Sequence, residues 1–203
     1  MDSVYATAAS DDEIAKTAEA LKVNGFEAQV VENKEAAKEA VLKLIPKGSE
    51  VLTVTSVTLD KSGINEVVNG SGYVSVRHKM MELMGNPEKL KDTRRITVAP
   101  DYVVGSARAL TQDGKIMIAS ATGSQMPSES YGADHVILVI GAQKIVRDLQ
   151  EGLKRINDYV VPLEDERALK AYGAHTSFNK LLILNKEKPG RITVIVIREE
   201  IGF

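Results

Sequence analysis

Apolar positions along the chain switch repeatedly between a helical and an extended period. Ile14, Ala18 and Leu21 mark one face of a helix, because side chains three and four apart share a stripe. Ser10 and Glu13 have capping-box spacing at its start, Asp11 and Asp12 suit its first turn, and Asn24-Gly25 ends it. Phe26 to Val31 reads as a strand. Asn33 caps a second helix with Ala37, Val41, Leu44 and Ile45 on its apolar face, closed by Pro46-Lys47-Gly48-Ser49. Val51 to Val54 is a short buried strand, followed by a polar turn at Thr55 to Thr58 and a helix from Leu59 to Val68. Beyond the turn Asn69 to Gly72, Tyr73 to Val76 is a candidate strand.

Residues 78–98 show no clear period: they hold Met80, Met81 and Met84, a break at Gly85-Asn86-Pro87 and a helix after Pro87. Tyr102 to Val104 is a further strand, and Gln112-Asp113-Gly114 is a hairpin turn that returns through Lys115 to Ala119. The most informative stretch is Ala119 to Leu149. In it, Thr122-Gly123-Ser124 opens a brief helix, Val136 to Ile140 is an apolar strand that breaks at Gly141, and a helix begins near Lys144. Ile145, Leu149, Leu153 and Ile156 give that helix one face for the sheet. Glu164 to Ala171 is helical, and Leu181 to Leu184 with Arg191 to Ile197 read as a final strand pair across the turn Lys186 to Gly190. Strands alternating with helices predict an α/β fold, a mixed, largely parallel sheet flanked by helices. The expected organisation is one domain over residues 10–203 behind a loose tail, residues 1–9.

Composition narrows the function classes. Net charge is −2, from 26 basic and 28 acidic residues, which gives no electrostatic case for nucleic acid or an anionic membrane. The chain has no cysteine, so disulfides, thiolate catalysis and Cys-bound metal clusters are excluded. No apolar run approaches the roughly 20 residues of a membrane span. The acidic start MDSVYATAASDDE lacks the basic and apolar regions of a secretory signal. A cytoplasmic protein is the expectation.

Four polar loops follow predicted strands: Thr55 to Thr58, Gly105 to Thr111, Thr122 to Gln125 and Gly141 to Lys144. In open α/β sheets, ligands bind outside the carboxyl ends of the strands. Hydroxyls, glycines and helix N-termini there suit a carboxylate or phosphate. Thr55, Ser56 and Thr58 are expected to line one wall and Arg108 and Lys144 to hold charge. Backbone N–H groups of Thr122, Gly123 and Ser124 are expected to face the ligand, with Gln125 beside them. The plainer reading of each loop is a helix cap or turn. Glu129 is the one catalytic candidate, as nucleophile or base, although a surface helix position is the simpler account of it. Asp60 and Asp113 read as first-turn and turn residues. His78, His135 and His175 show no metal-ligand spacing, and no Walker loop, dinucleotide fingerprint or nucleophile elbow is present. The residues call for no cofactor and leave enzymatic activity and homo-oligomer formation open.

In order and spacing, several segments together resemble the LUD (lactate-utilisation, LutC/YkgG-like) domain family. They are Ser56-Val57-Thr58-Leu59 with Gly63, Ala109-Leu110-Thr111-Gln112-Asp113-Gly114, and Thr122-Gly123 with Tyr131-Gly132. Gly141 with Lys144-Ile145-Val146 and Asp148-Leu149, and the ending Glu200-Ile201-Gly202-Phe203, complete the set. The resemblance runs from Leu21 to Phe203. It implies the fold of the NagB/RpiA/CoA-transferase-like superfamily and a role in organic-acid (lactate) utilisation beside iron–sulfur proteins. On this reading the domain binds a small anionic metabolite: a carboxylate, acyl thioester or phosphate ester. The alternative is a non-catalytic subunit or assembly protein partnering iron–sulfur proteins. The departures from the family pattern cluster on the presumed pocket: Val54-Thr55, Arg108, Ser124-Gln125 and Gln143 stand where relatives often carry other residues. Arg108 favours a more anionic ligand.

Overall fold

A computed structural model describes residues 4–83 and 86–203; Met84, one of the three methionines in residues 78–98, and Gly85, the first residue of the expected break, lie outside the described residues. The elements in chain order are α1 (Asp11–Val23), β1 (Glu27–Val31), α2 (Lys34–Leu44), β2 (Glu50–Thr53), α3 (Val57–Lys61) and α4 (Ile64–Val68). Then come β3 (Val74–Ser75), α5 (Val76–Leu83), α6 (Leu90–Val98), β4 (Tyr102–Gly105), β5 (Ala109–Thr111) and β6 (Ile116–Ser120). The chain ends with β7 (His135–Gly141), β8 (Ile145–Val146), α7 (Leu149–Arg155), α8 (Val161–Tyr172), β9 (Lys180–Leu184) and β10 (Ile192–Ile197). The α/β class expected from the sequence is the one observed.

Two sheets divide the strands. Six form a sheet of order β1-β10-β7-β4-β2-β3, parallel at every pairing. Four form a smaller mixed sheet of order β8-β5-β6-β9. In β7, Val136, Leu138 and Ile140 enter one core with Ile14 and Leu21 of α1, while Ile137 and Val139 enter another with Ala37, Val41, Leu59 and Ile64. This is the two-residue period of a strand buried on both faces. The small sheet follows the same rule: Ile116 and Ile118 face the first core, whereas Met117 joins Ala109, Val146 and Ile156 under α7 and the turn after it.

The start of α1 matches its sequence, with the complete capping box of Ser10 and Glu13. Several boundaries differ. The expected helix from Leu59 to Val68 is two short helices, broken by Gly63 in the left-handed region at φ 68°, which glycine adopts without a Cβ clash. Tyr73 to Val76 yields only two strand residues before α5 begins. No helix starts at Lys144: it closes a 3₁₀ turn, Ile145 and Val146 pair with β5, and α7 starts at Leu149, where Asp148 caps it. The last two strands are not a pair. β10 lies between β1 and β7, where its run of Ile and Val is buried on both faces, while the half-exposed β9 edges the small sheet. The described part of the expected loose tail is attached: Val4–Ala6 form a 3₁₀ turn, Tyr5 packs on Tyr159, and the Ala9 N–H reaches the Ala142 carbonyl at 3.4 Å.

Candidate functional site

Parallel pairing places the carboxyl ends of β2, β4 and β7 at one sheet edge, so the connections after them meet there. Lys144 joins them below the surface. Its Nζ donates to Thr58 Oγ1 at 2.8 Å, Ser106 Oγ at 3.1 Å and the Ala107 carbonyl at 3.3 Å. The side chain is wholly buried, and burial, with Arg108 and Arg155 adding to it, pushes its pKa well below the ordinary lysine value. The Thr58 hydroxyl in turn donates to the Ile201 carbonyl, and Gln143 Nε2 donates to the carbonyls of Ile201 and Gly202. Lys144 is thus a tie between three strand ends and the C-terminal segment. Ser56 is buried beside this layer, its hydroxyl without a partner.

Above this layer opens a cleft of about 870 Å³. Of the sequence-selected residues, Thr55, Arg108, Thr122, Gly123, Ser124 and Gln125 line it; Ser56, Thr58 and Lys144 do not. Lys144 is buried below the cleft, with its amino group hydrogen-bonded inside the protein. The glycine loop is tied by hydroxyls close to it in sequence. The Gly123 N–H donates to Ser120 Oγ at 2.9 Å and the Ser124 N–H to Thr122 Oγ1 at 3.3 Å. Two of its three N–H groups are therefore engaged by nearby side-chain hydroxyls.

Four charged residues of the cleft were not singled out in the sequence: Arg77 on α5, Arg94 on α6, and Glu164 with Arg167 on α8. Arg94 sits in the stretch without a readable period, and Arg77 immediately before it. Arg167 and Glu164 are three apart on a helix and form a two-pronged ion pair at 2.9 and 2.7 Å, a pairing that their spacing allows.

Arg108 is the centre of the electrostatics. Its carbonyl accepts from Arg155 Nη1, but no hydrogen bond or ion pair engages its guanidinium among the described residues. Burial lowers its pKa, against the nearby charges of Glu164 and Glu129, which raise it. Arg155 is also buried, and burial brings its pKa down to about 10. Glu129 overturns its simpler account as a surface residue. It lies in a π-turn at Ser128–Gly132, is 0% exposed, and neither carboxyl oxygen has a hydrogen-bond partner. One oxygen lies so close to Gly105 that a Cβ added there would meet it at 3.0 Å, with Leu138 and Val54 packed on the same spot. Burial in these apolar surroundings raises its pKa to about 8, against the pull of Arg108. Burial thus favours its protonated form. Among the described residues, no three His, Cys, Asp or Glu side chains gather as a metal site, and no helix is long and apolar enough to cross a membrane.

A six-stranded parallel sheet flanked by helices, with a cleft beyond its strand ends, defines the class of open parallel α/β domains. The family profile of the LUD domain matches residues 14–197. The chain belongs to the LUD domain family. It is similar in fold to a crystal structure described as a DUF162 family protein from Deinococcus radiodurans, with a TM-score of 0.60 and 16% identity over 93% of this chain and 99% of that one. A search of curated proteins returns no match.

Proposed function

We propose that this LUD domain binds a small anionic metabolite in the cleft, with Arg108 as the anchor, and serves organic-acid (lactate) utilisation. The observation that carries this reading is Arg108: it lines the cleft, is half-buried, and its guanidinium has no hydrogen-bond or ion-pair partner among the described residues. Burial disfavours its charge and Glu164 offsets this only in part, so an anion from solution stabilises the site further. Arg also presents a planar fork of donors that matches carboxylate and phosphate alike. The hydroxyls of Thr55, Thr122 and Ser124, on the cleft surface, supply further donors. The link to lactate rests on the family resemblance, as does an iron–sulfur protein as partner, which pulldown with the tagged chain addresses.

The test is thermal shift with lactate, pyruvate, acyl thioesters of CoA and sugar phosphates, on the natural chain and on Arg108→Ala. A ligand that raises the melting temperature of the natural chain and leaves that of the variant unchanged supports the reading. Equal shifts in both proteins, or no shift with any compound, contradict it.

A further inference from the structure

The cleft carries more positive charge than one small acid neutralises. Arg77, Arg94, Arg108 and Arg167 line it against the carboxylate of Glu164, and Glu164 is held by Arg167 through both oxygens. Among the described residues Arg77 hydrogen-bonds only neutral acceptors, the Thr53 carbonyl and the Thr55 hydroxyl, each at 3.3 Å; Asp60 and Glu66 line a neighbouring depression that Arg77 also borders, outside the cleft. Arg77 stands on the α5 wall and Arg108 in the connection from β4 to β5, so the two are separate positive centres of the lining. Much of the remaining lining is apolar, including Val54, Leu90, Ile156, Val160 and Phe178. The volume of about 870 Å³ falls in the range of sites that enclose ligands well above three carbons in size.

We infer that the cleft takes a ligand with two separate anionic groups joined by an apolar body, one group on Arg108 and the other on Arg77 with Thr55. This rests on the reading of Arg108 as an anion anchor. A ligand with one anionic head leaves the second centre without a counter-charge, and a wholly polar ligand leaves the apolar wall wet. Carboxylates and phosphates share the required chemistry, since both accept the guanidinium fork.

Calorimetric titration with octanoate, octanedioate and the bisphosphate of octane-1,8-diol separates the cases. Octanedioate or the bisphosphate is expected to bind about tenfold tighter than octanoate, or more, the gain of one added charge-assisted contact; whichever is tighter identifies the head group. Arg77→Gln, which keeps a donor for Thr55 but no charge, is expected to bring the two-headed ligands down to the affinity of octanoate. Arg108→Ala weakens all three. If the two-headed ligands bind no tighter than octanoate while octanoate still depends on Arg108, the two-centre inference falls and the anion anchor stands. If none of the three binds at millimolar concentration, or Arg108→Ala changes nothing, both fall.

Discussion

Glu129 keeps a proton that the unfolded chain gives up. Its pKa rises from 4.5 to about 8 on folding, so between these values the native state binds one proton more than the unfolded state. Stability from this group is therefore greatest at low pH and falls as pH rises through the window, by about 1.4 kcal/mol per pH unit, before levelling off above it. Glu129→Gln removes the titration while keeping the shape. Urea unfolding of both proteins from roughly pH 5 to 8.5 is expected to show the difference between them shifting toward the variant as pH rises; parallel curves would contradict the buried acid. Lys144 is the converse case, a cation whose charge is disfavoured by burial. Lys144→Ala leaves a cavity and takes the donor from Thr58 and Ser106, and is expected to cost about 2–5 kcal/mol. Lys144→Met fills the same space, and Thr58 and Ser106 keep their own donations to Ile201 and Ala107, so it is expected to cost less. Equal losses would show that the hydrogen bonds, not the packing, hold this layer. Neither burial was legible beforehand. A lone Glu in a Ser-rich segment has the same local pattern on a surface and in a core, and only the π-turn of residues 128–132 carries it inward.

Elements were legible where one local signal sufficed. The capping box of Ser10 and the hairpin at Gln112-Asp113-Gly114 fix their own geometry from adjacent residues. What was not legible depends on distant partners. Ile145 reads as helical by spacing, yet its pairing with Leu110 makes it a strand; β9 and β10 are neighbours in sequence, yet they join different sheets. The helices α5 and α6 form a wall of the cleft, and their sequence shows no sustained apolar face because one side of them meets the open cleft. The seat of α6 is made by Gly132, where an added Cβ would lie 1.8 Å from the Val98 carbonyl oxygen. Gly132→Ala is expected to push α6 off the turn at a cost of about 1–3 kcal/mol or more. Hydrogen exchange should then speed up in residues 90–98 while β7 stays protected. Unchanged exchange in α6 would show that the helix is held elsewhere.

At the scale of the whole molecule, the parallel sheet does one thing for the site: it delivers the ends of β2, β4 and β7 to one edge. The small mixed sheet, α8 and the α5–α6 wall then enclose the space beyond that edge. The fold is shared with a protein of only 16% identity, as expected when alternating apolar strands set the architecture and loops set the ligand. The edge itself could be read from the polar loops after the strands, and Thr55, Arg108 and residues 122–125 do meet in one cleft. Its depth could not be read, since nothing local distinguishes the buried layer of Ser56, Thr58 and Lys144 from the lining above it. A crystal structure with the tightest anionic ligand from the screen probes the anchor directly. The expected density has an anionic group of the ligand within hydrogen-bond distance of the Arg108 guanidinium, with Lys144 still on Thr58 and Ser106. An anion bound elsewhere, with the Arg108 fork left bare, would contradict it.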